Sequence, residues 1–90
     1  MKSKNEALFF AAELGADIPE LDLHGFYPDE ALEKLEIFLY DNQIKTKKLL
    51  RIIYGGGTGK LCDKILSRLA EHPLVDNCKE EGGSCVVVLA

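Results

Sequence analysis

Polar and apolar residues alternate strictly through Glu20-Leu21-Asp22-Leu23-His24, the period of a half-buried strand. That alternation predicts Leu21 and Leu23 on the core face and Asp22 and His24 together on the other. Before it, Asn5 to Leu14 is rich in helix formers and stops at Gly15, which predicts a short leading helix broken by Asp17-Ile18-Pro19. After it, Gly25 ends the strand, and Pro28, Asp29 and Glu30 have the composition of a helix start. Ala31, Leu32, Leu35, Phe38 and Leu39 then recur at helical spacing, with Glu33 and Glu36 off the apolar stripe, to an end near Asn42.

Beyond a polar link from Gln43 to Lys47, Leu49 to Tyr54 is almost continuously apolar, as a buried central strand would be. The run Gly55-Gly56-Gly57-Thr58-Gly59 makes a turn, and Lys60 to His72 returns to helical period until Pro73 stops it. A weak strand over Val75 to Glu80, a Gly82-Gly83 turn and a stronger strand over Cys85 to Leu89 read as a hairpin. The order predicts an α/β fold: a two-layer sandwich, β-α-β-α-β-β, with a mixed four-stranded sheet, both helices on one face, and the short N-terminal helix in front. Residues 1–19 are the lead-in and residues 20–90 the domain. Crossovers of this length join parallel strands, which brings the carboxyl ends of the first two strands side by side.

At 90 residues the chain has room for one core. No apolar run approaches the ~20 residues of a membrane span, and the start lacks the signature of a secretory leader. The expectation is a soluble, cytoplasmic protein with no membrane partner. Cys62, Cys78 and Cys85 show no C-x-x-C pairing and are read as reduced, small apolar residues. A net charge of −4 argues against bulk attraction to polyanions, but its distribution is uneven. From Lys45 to Arg68 there are seven basic residues and one acid, a net of +6 that leaves −10 for the remainder. Lys60, Lys64 and Arg68 recur every four residues and form one stripe.

Ligands of open α/β sheets collect at the carboxyl edge of the strands. Two features converge there: Asp22-x-His24-Gly25 and the glycine run after Tyr54. An imidazole titrates near neutrality and suits proton transfer, and a carboxylate on the same face can orient it. Two such residues are not a metal site, and His72 stands at the far end of another helix. The glycines would admit a phosphate to the backbone, with Lys60 and Lys64 following. They are not the triphosphatase loop, which needs glycine at position 54 and Ser or Thr at position 61, where this chain has Tyr54 and Leu61. Phe26, Tyr27 and Tyr54 are aromatic rings able either to stack on bases or to pack in the core.

Leu21 to Gly25, Glu30-Ala31-Leu32, Ile52 to Leu61, His72 to Val75, and Gly82-Gly83 before Val86 to Leu89 together resemble the Smr (small MutS-related) domain over about residues 20–90. The resemblance implies a fold similar to the C-terminal domain of translation initiation factor three. It also implies nicking of DNA or cleavage of RNA, since Smr domains occur in MutS-like proteins that suppress recombination or act on collided ribosomes. The family's D-L-H-G motif falls on Asp22, Leu23, His24 and Gly25, which makes Asp22 and His24 the candidate catalytic residues. Its H-G-x-G-x-G loop falls on Tyr54 to Gly59, so Gly25, Tyr54, Gly55, Gly57, Thr58, Gly59, Lys60 and Lys64 are the candidate phosphate-binding residues.

The chain departs from the pattern at Tyr54, which replaces the loop histidine; a phenol is a poor proton shuttle at neutrality. RNA carries its own 2′-hydroxyl nucleophile and needs no metal, whereas DNA calls for activated water and with it a divalent ion. No other cofactor is implied. A non-catalytic module that binds nucleic acid or a ribosome is the alternative reading, and the oligomeric state is left open.

Overall fold

The computed structural model describes residues 18–56 and 59–90. The elements run β1 (Glu20–Asp22), α1 (Pro28–Ile44), β2 (Leu49–Ile53), α2 (Lys60–Glu71), β3 (Val75–Glu80) and β4 (Ser84–Leu89). The sheet order is β1-β2-β4-β3. β1 pairs parallel with β2, while β4 is antiparallel to both β2 and β3, so the sheet is mixed. The leading helix expected over residues 5–14 lies outside the described residues.

One core joins the two helices to one face of the sheet. Leu23, Leu50, Ile52, Cys85, Val87 and Leu89 from the sheet side meet Ala31, Leu35, Leu39, Ile65 and Leu69 from the helices. Each fully buried leucine or isoleucine there contributes roughly 1.5–3 kcal/mol. The other face carries a smaller cluster, Val86 and Val88 with Ile18 and Leu49 packed against them.

The run Leu49 to Tyr54, expected as a buried central strand, is central, with β2 between β1 and β4, but β4 is the more completely buried strand. In β2 burial alternates, with Leu50 and Ile52 inside and Leu49, Arg51 and Ile53 half-buried, whereas β4 is buried from Cys85 to Leu89. Both strands are interior, but β4 carries apolar residues on both faces whereas β2 places Arg51 on its second face.

Helix α1 runs two residues past its expected end at Asn42. Its stop is Thr46, at φ 57°, where the Lys47 N–H returns to the Asn42 carbonyl at 2.9 Å. No glycine marks that left-handed position, so the sequence pattern does not announce it. Glu36, expected on the solvent side, faces α2 instead. It accepts from Arg68 Nε at 2.6 Å and from His72 Nε2 at 2.8 Å. His72 is 3% exposed, and its Nδ1 accepts the Leu74 N–H at 3.1 Å. The ring proton therefore sits on Nε2 and points at the carboxylate. Arg68 is thereby withdrawn from the expected basic stripe, because its guanidinium ties α2 to α1.

Candidate functional site

β1 stops two residues short of the expected His24, and the Asp22 side chain stops it. Its Oδ1 accepts the His24 backbone N–H at 3.1 Å, the local bond with which Asp competes against a sheet ladder. The Leu23 N–H still reaches the Ile53 carbonyl at 2.6 Å, so the turn begins beside the end of β2. Gly25, at φ 83°, then lets Phe26 N–H close back on the Leu23 carbonyl at 3.2 Å. A side chain there would be strained by the left-handed backbone.

The same Oδ1 also takes the imidazole of His24, with Nδ1 at 2.6 Å. An ionised carboxylate only accepts, so Nδ1 carries the proton and Nε2 presents its lone pair outward. The two hydrogen bonds from His24, ring first and backbone second, hold the Asp22 carboxyl below its ordinary 3.8. Both side chains are open to solvent, 70% for His24 and 51% for Asp22. The pair is thus an oriented imidazole with one nitrogen free for proton transfer, the geometry of carboxylate-assisted general bases. Among the described residues no group of three His, Cys, Asp or Glu side chains converges as a metal site.

Gly55, the first residue of the glycine run, sits directly against His24. Gly55 has φ 78°, and a Cβ there would lie 3.4 Å from the Cβ of His24. Its N–H and that of Tyr54 both donate to the Gly83 carbonyl, at 2.9 and 3.0 Å. Gly83 is in turn packed on Gly55, since a Cβ on Gly83 would meet the Gly55 Cα at 3.2 Å. The hairpin turn, expected only as a connection between strands, therefore buttresses the loop. Gly-Gly was its only mark in the sequence, and that signal is shared by any tight turn. Gly83→Ala should push Gly55 away from the hairpin turn by a few tenths of an ångström and lower stability by ~1–2 kcal/mol. Thermal denaturation measures that cost.

The Tyr54 side chain is turned into the core. It is 4% exposed within the core cluster, and its hydroxyl donates to the Ser84 carbonyl at 2.9 Å. Burial first, then the neighbouring cysteine thiols, push its ionisation far above the ordinary phenol range. It can neither stack on a base nor shuttle a proton, and it acts as a strut beneath the loop. Phe26 is half-buried, with Lys34 Nζ 4.9 Å from its ring centre. Tyr27 is 81% exposed.

Gly57 and Thr58 fall outside the described residues. Gly59, at φ 88°, forms the N-cap of α2, where a residue without a side chain leaves the first-turn N–H groups uncapped. Beyond it a groove of about 420 Å³ is lined by Pro28, Lys60, Asp63, Lys64 and Ser67. The expected residues thus divide into an Asp22-His24-Gly25-Gly55 cluster and an adjoining Gly59-Lys60-Lys64 wall.

The chain matches the model of the Smr domain over residues 21–90. It is 39% identical over 75 residues to endonuclease MutS2 of Pelotomaculum thermopropionicum, an alignment covering 79% of this chain and 10% of that protein. It is 36% identical over 76 residues to endonuclease MutS2 of Thermomicrobium roseum, again covering 79% of this chain and 10% of the relative. The chain therefore spans about a tenth of the length of these curated relatives.

Among solved structures, the crystal structure of the Smr domain of Thermus thermophilus MutS2 superposes with a TM-score of 0.78 at 28% identity, covering 81% of this chain and 99% of that one. The solution structure of the SMR domain of NEDD4-binding protein 2 superposes with a TM-score of 0.68 at 28% identity, covering 84% and 90%. A sheet edge built from Asp22-Leu23-His24-Gly25 and the glycine loop, in this topology and with these matches, makes the chain a member of the Smr domain family.

Proposed function

We propose that the chain is a nucleic-acid endonuclease domain that acts on a phosphodiester at the Asp22–His24 edge. The observation that carries this reading is the 2.6 Å Asp22–His24 bond, which turns Nε2 outward on a residue whose Cβ lies against Gly55. On RNA, Nε2 takes the proton of the 2′-hydroxyl, the 2′ oxygen bonds to phosphorus, and the bond to the 5′ oxygen breaks. That oxygen leaves with a proton from solvent or from the imidazolium, giving a cyclic phosphate and a 5′-hydroxyl end. On DNA the same imidazole would have to activate water, and a divalent ion would be needed to help. Gly55, Gly57, Thr58, Gly59 and the cations of Lys60 and Lys64 are assigned to the phosphate. Relatives named endonuclease MutS2 support the same class of reaction.

The test is cleavage of end-labelled RNA and DNA of one sequence, with and without chelator, by wild type, His24→Ala and Asp22→Ala. RNA cleavage that survives chelator and fails in His24→Ala is expected. Equal residual cleavage by all three proteins would remove the site.

A second reading is favoured by Tyr54, a buried phenol at the position of the family's loop histidine: a module that binds nucleic acid or a ribosome without cutting. It predicts binding with no new ends in the bound strand. Under either reading Lys64→Ala should weaken binding ~3–10-fold at low salt and reduce the slope of log affinity against log salt by about one, measured by fluorescence anisotropy across a salt series.

A further inference from the structure

Four large apolar side chains are strongly exposed among the described residues: Tyr27, Ile37, Tyr40 and Ile44. Three belong to the later turns of α1, and Tyr40 has its ring set edge-on to His72 at 5.8 Å. Tyr27 stands apart from them. It is the most exposed of the four at 81%, and it precedes Pro28, which lines the groove with Lys60 and Lys64. It also follows His24 by three residues, so chain length alone keeps the two α-carbons within ~10 Å. The reverse turn at Gly25 shortens that distance further. Of the three aromatic rings around the site, Tyr54 is spent in the core and Phe26 is half-buried beneath Lys34. Of these three rings only Tyr27 is strongly exposed, and in the chain it stands between the Asp22–His24 pair and Pro28 of the basic groove.

From this placement we infer that Tyr27 is a stacking platform for an unpaired nucleobase flanking the reacting phosphate, so that the site takes single-stranded or looped nucleic acid rather than continuous duplex. The inference rests on the nucleic-acid reading above and narrows its substrate. A base inside a duplex has both faces covered by its neighbours and cannot stack on a protein ring without leaving the helix. An unpaired base has a face to give, and stacking on an aromatic side chain tolerates any sequence. The strand then continues over Pro28 into the groove, where Lys60 and Lys64 meet its phosphates. Asp63, on the same wall, disfavours a phosphate at its own position and so biases the path toward the two lysines. The shared chemistry is the unpaired base, which single-stranded DNA and RNA both supply.

The chain contains no tryptophan, so Tyr27→Trp creates a single reporter at this position. The experiment titrates this variant, in a His24→Ala background that keeps the probes whole, with a 12-nucleotide single-stranded DNA, the RNA of the same sequence, and the matched DNA duplex. These lengths are about the footprint of one small domain. Quenching of the tryptophan by both single strands, and much weaker quenching by duplex at equal occupancy, is expected. In parallel, Tyr27→Ala should weaken single-strand binding ~10-fold with less than ~2-fold effect on duplex, and Tyr27→Phe should restore it. Single-strand binding with unchanged tryptophan emission and unchanged Tyr27→Ala affinity overturns the stacking role while leaving the site assignment standing. Equal loss for single strand and duplex overturns the single-strand preference. Absence of binding to all three probes overturns both this inference and the nucleic-acid reading beneath it.

Discussion

His24→Ala should slow strand cleavage by ~10²–10⁴-fold, the usual worth of a positioned general base, with little change in substrate affinity. The side chain is 70% exposed, so the folded state should survive the change and thermal melting should move little. Asp22→Asn is expected to be milder on rate but more revealing. An amide in place of the carboxylate can still hold a proton donor, yet it removes the negative charge that favours the imidazolium formed as the base takes its proton. A loss of ~10–100-fold is expected, smaller than for a buried carboxylate because solvent screens this pair.

The pH profile separates the two residues. Asp22 is held below 3.8 by its bonds from His24 and is therefore fully ionised at any pH above about 5. An acid limb in the rate above that pH thus belongs to another group and should persist in Asp22→Asn. Stopped-time cleavage of labelled RNA from pH 5 to 8 reads both effects. A Asp22→Asn protein that cuts at the wild-type rate with a wild-type profile would leave the carboxylate no part in orienting the ring.

Glu36→Ala should produce the largest loss of stability, ~1–3 kcal/mol or about 10 °C in melting temperature for a domain of this size. The residue looks dispensable in sequence, one glutamate among several on α1. Its removal strands the proton on the wholly buried His72 side chain and releases Arg68, whose 39% exposed side chain water can serve. An unsatisfied buried donor costs its full desolvation, which the exposed bond between Lys45 and Asp41 on the same helix does not risk.

The contribution is also pH-dependent. Burial raises the Glu36 pKa, but the bonds from Arg68 and His72 outweigh it and leave the carboxyl below its ordinary 4.5. A group depressed on folding stabilises the native state at every pH above its unfolded value and loses that contribution as pH falls through the folded one. The stability gap between wild type and Glu36→Gln should therefore be constant near neutrality and shrink only below 4.5, as followed by thermal denaturation at a series of pH values. A gap that stayed constant below 4.5 would take the pH dependence away from the Glu36 carboxylate.

Much of the fold was legible because local and tertiary preferences agree. The alternation through Leu21 and Leu23, the helical spacing of Leu35 and Leu39, and Pro73 after α2 each encode an element that packing then keeps. Asp22 and His24 were placed on one side by strand period alone. Their direct bond was not, because it depends on Asp22 ending the strand through its own side chain.

By itself, the sequence determined the element order, the two-layer division and the meeting of Asp22-x-His24 with a glycine loop, since periodicity and turn chemistry act over a few residues and need no distant partner. Only the tertiary structure decided what lies between elements far apart in the chain. It inserted β4 between β2 and β3, set Gly83 under Gly55, turned Tyr54 into the core and Tyr27 out of it, and drew Glu36, Arg68 and His72 together. Those outcomes follow from which buried donors and acceptors can be satisfied at once, a condition on the whole packed domain that no window of sequence contains.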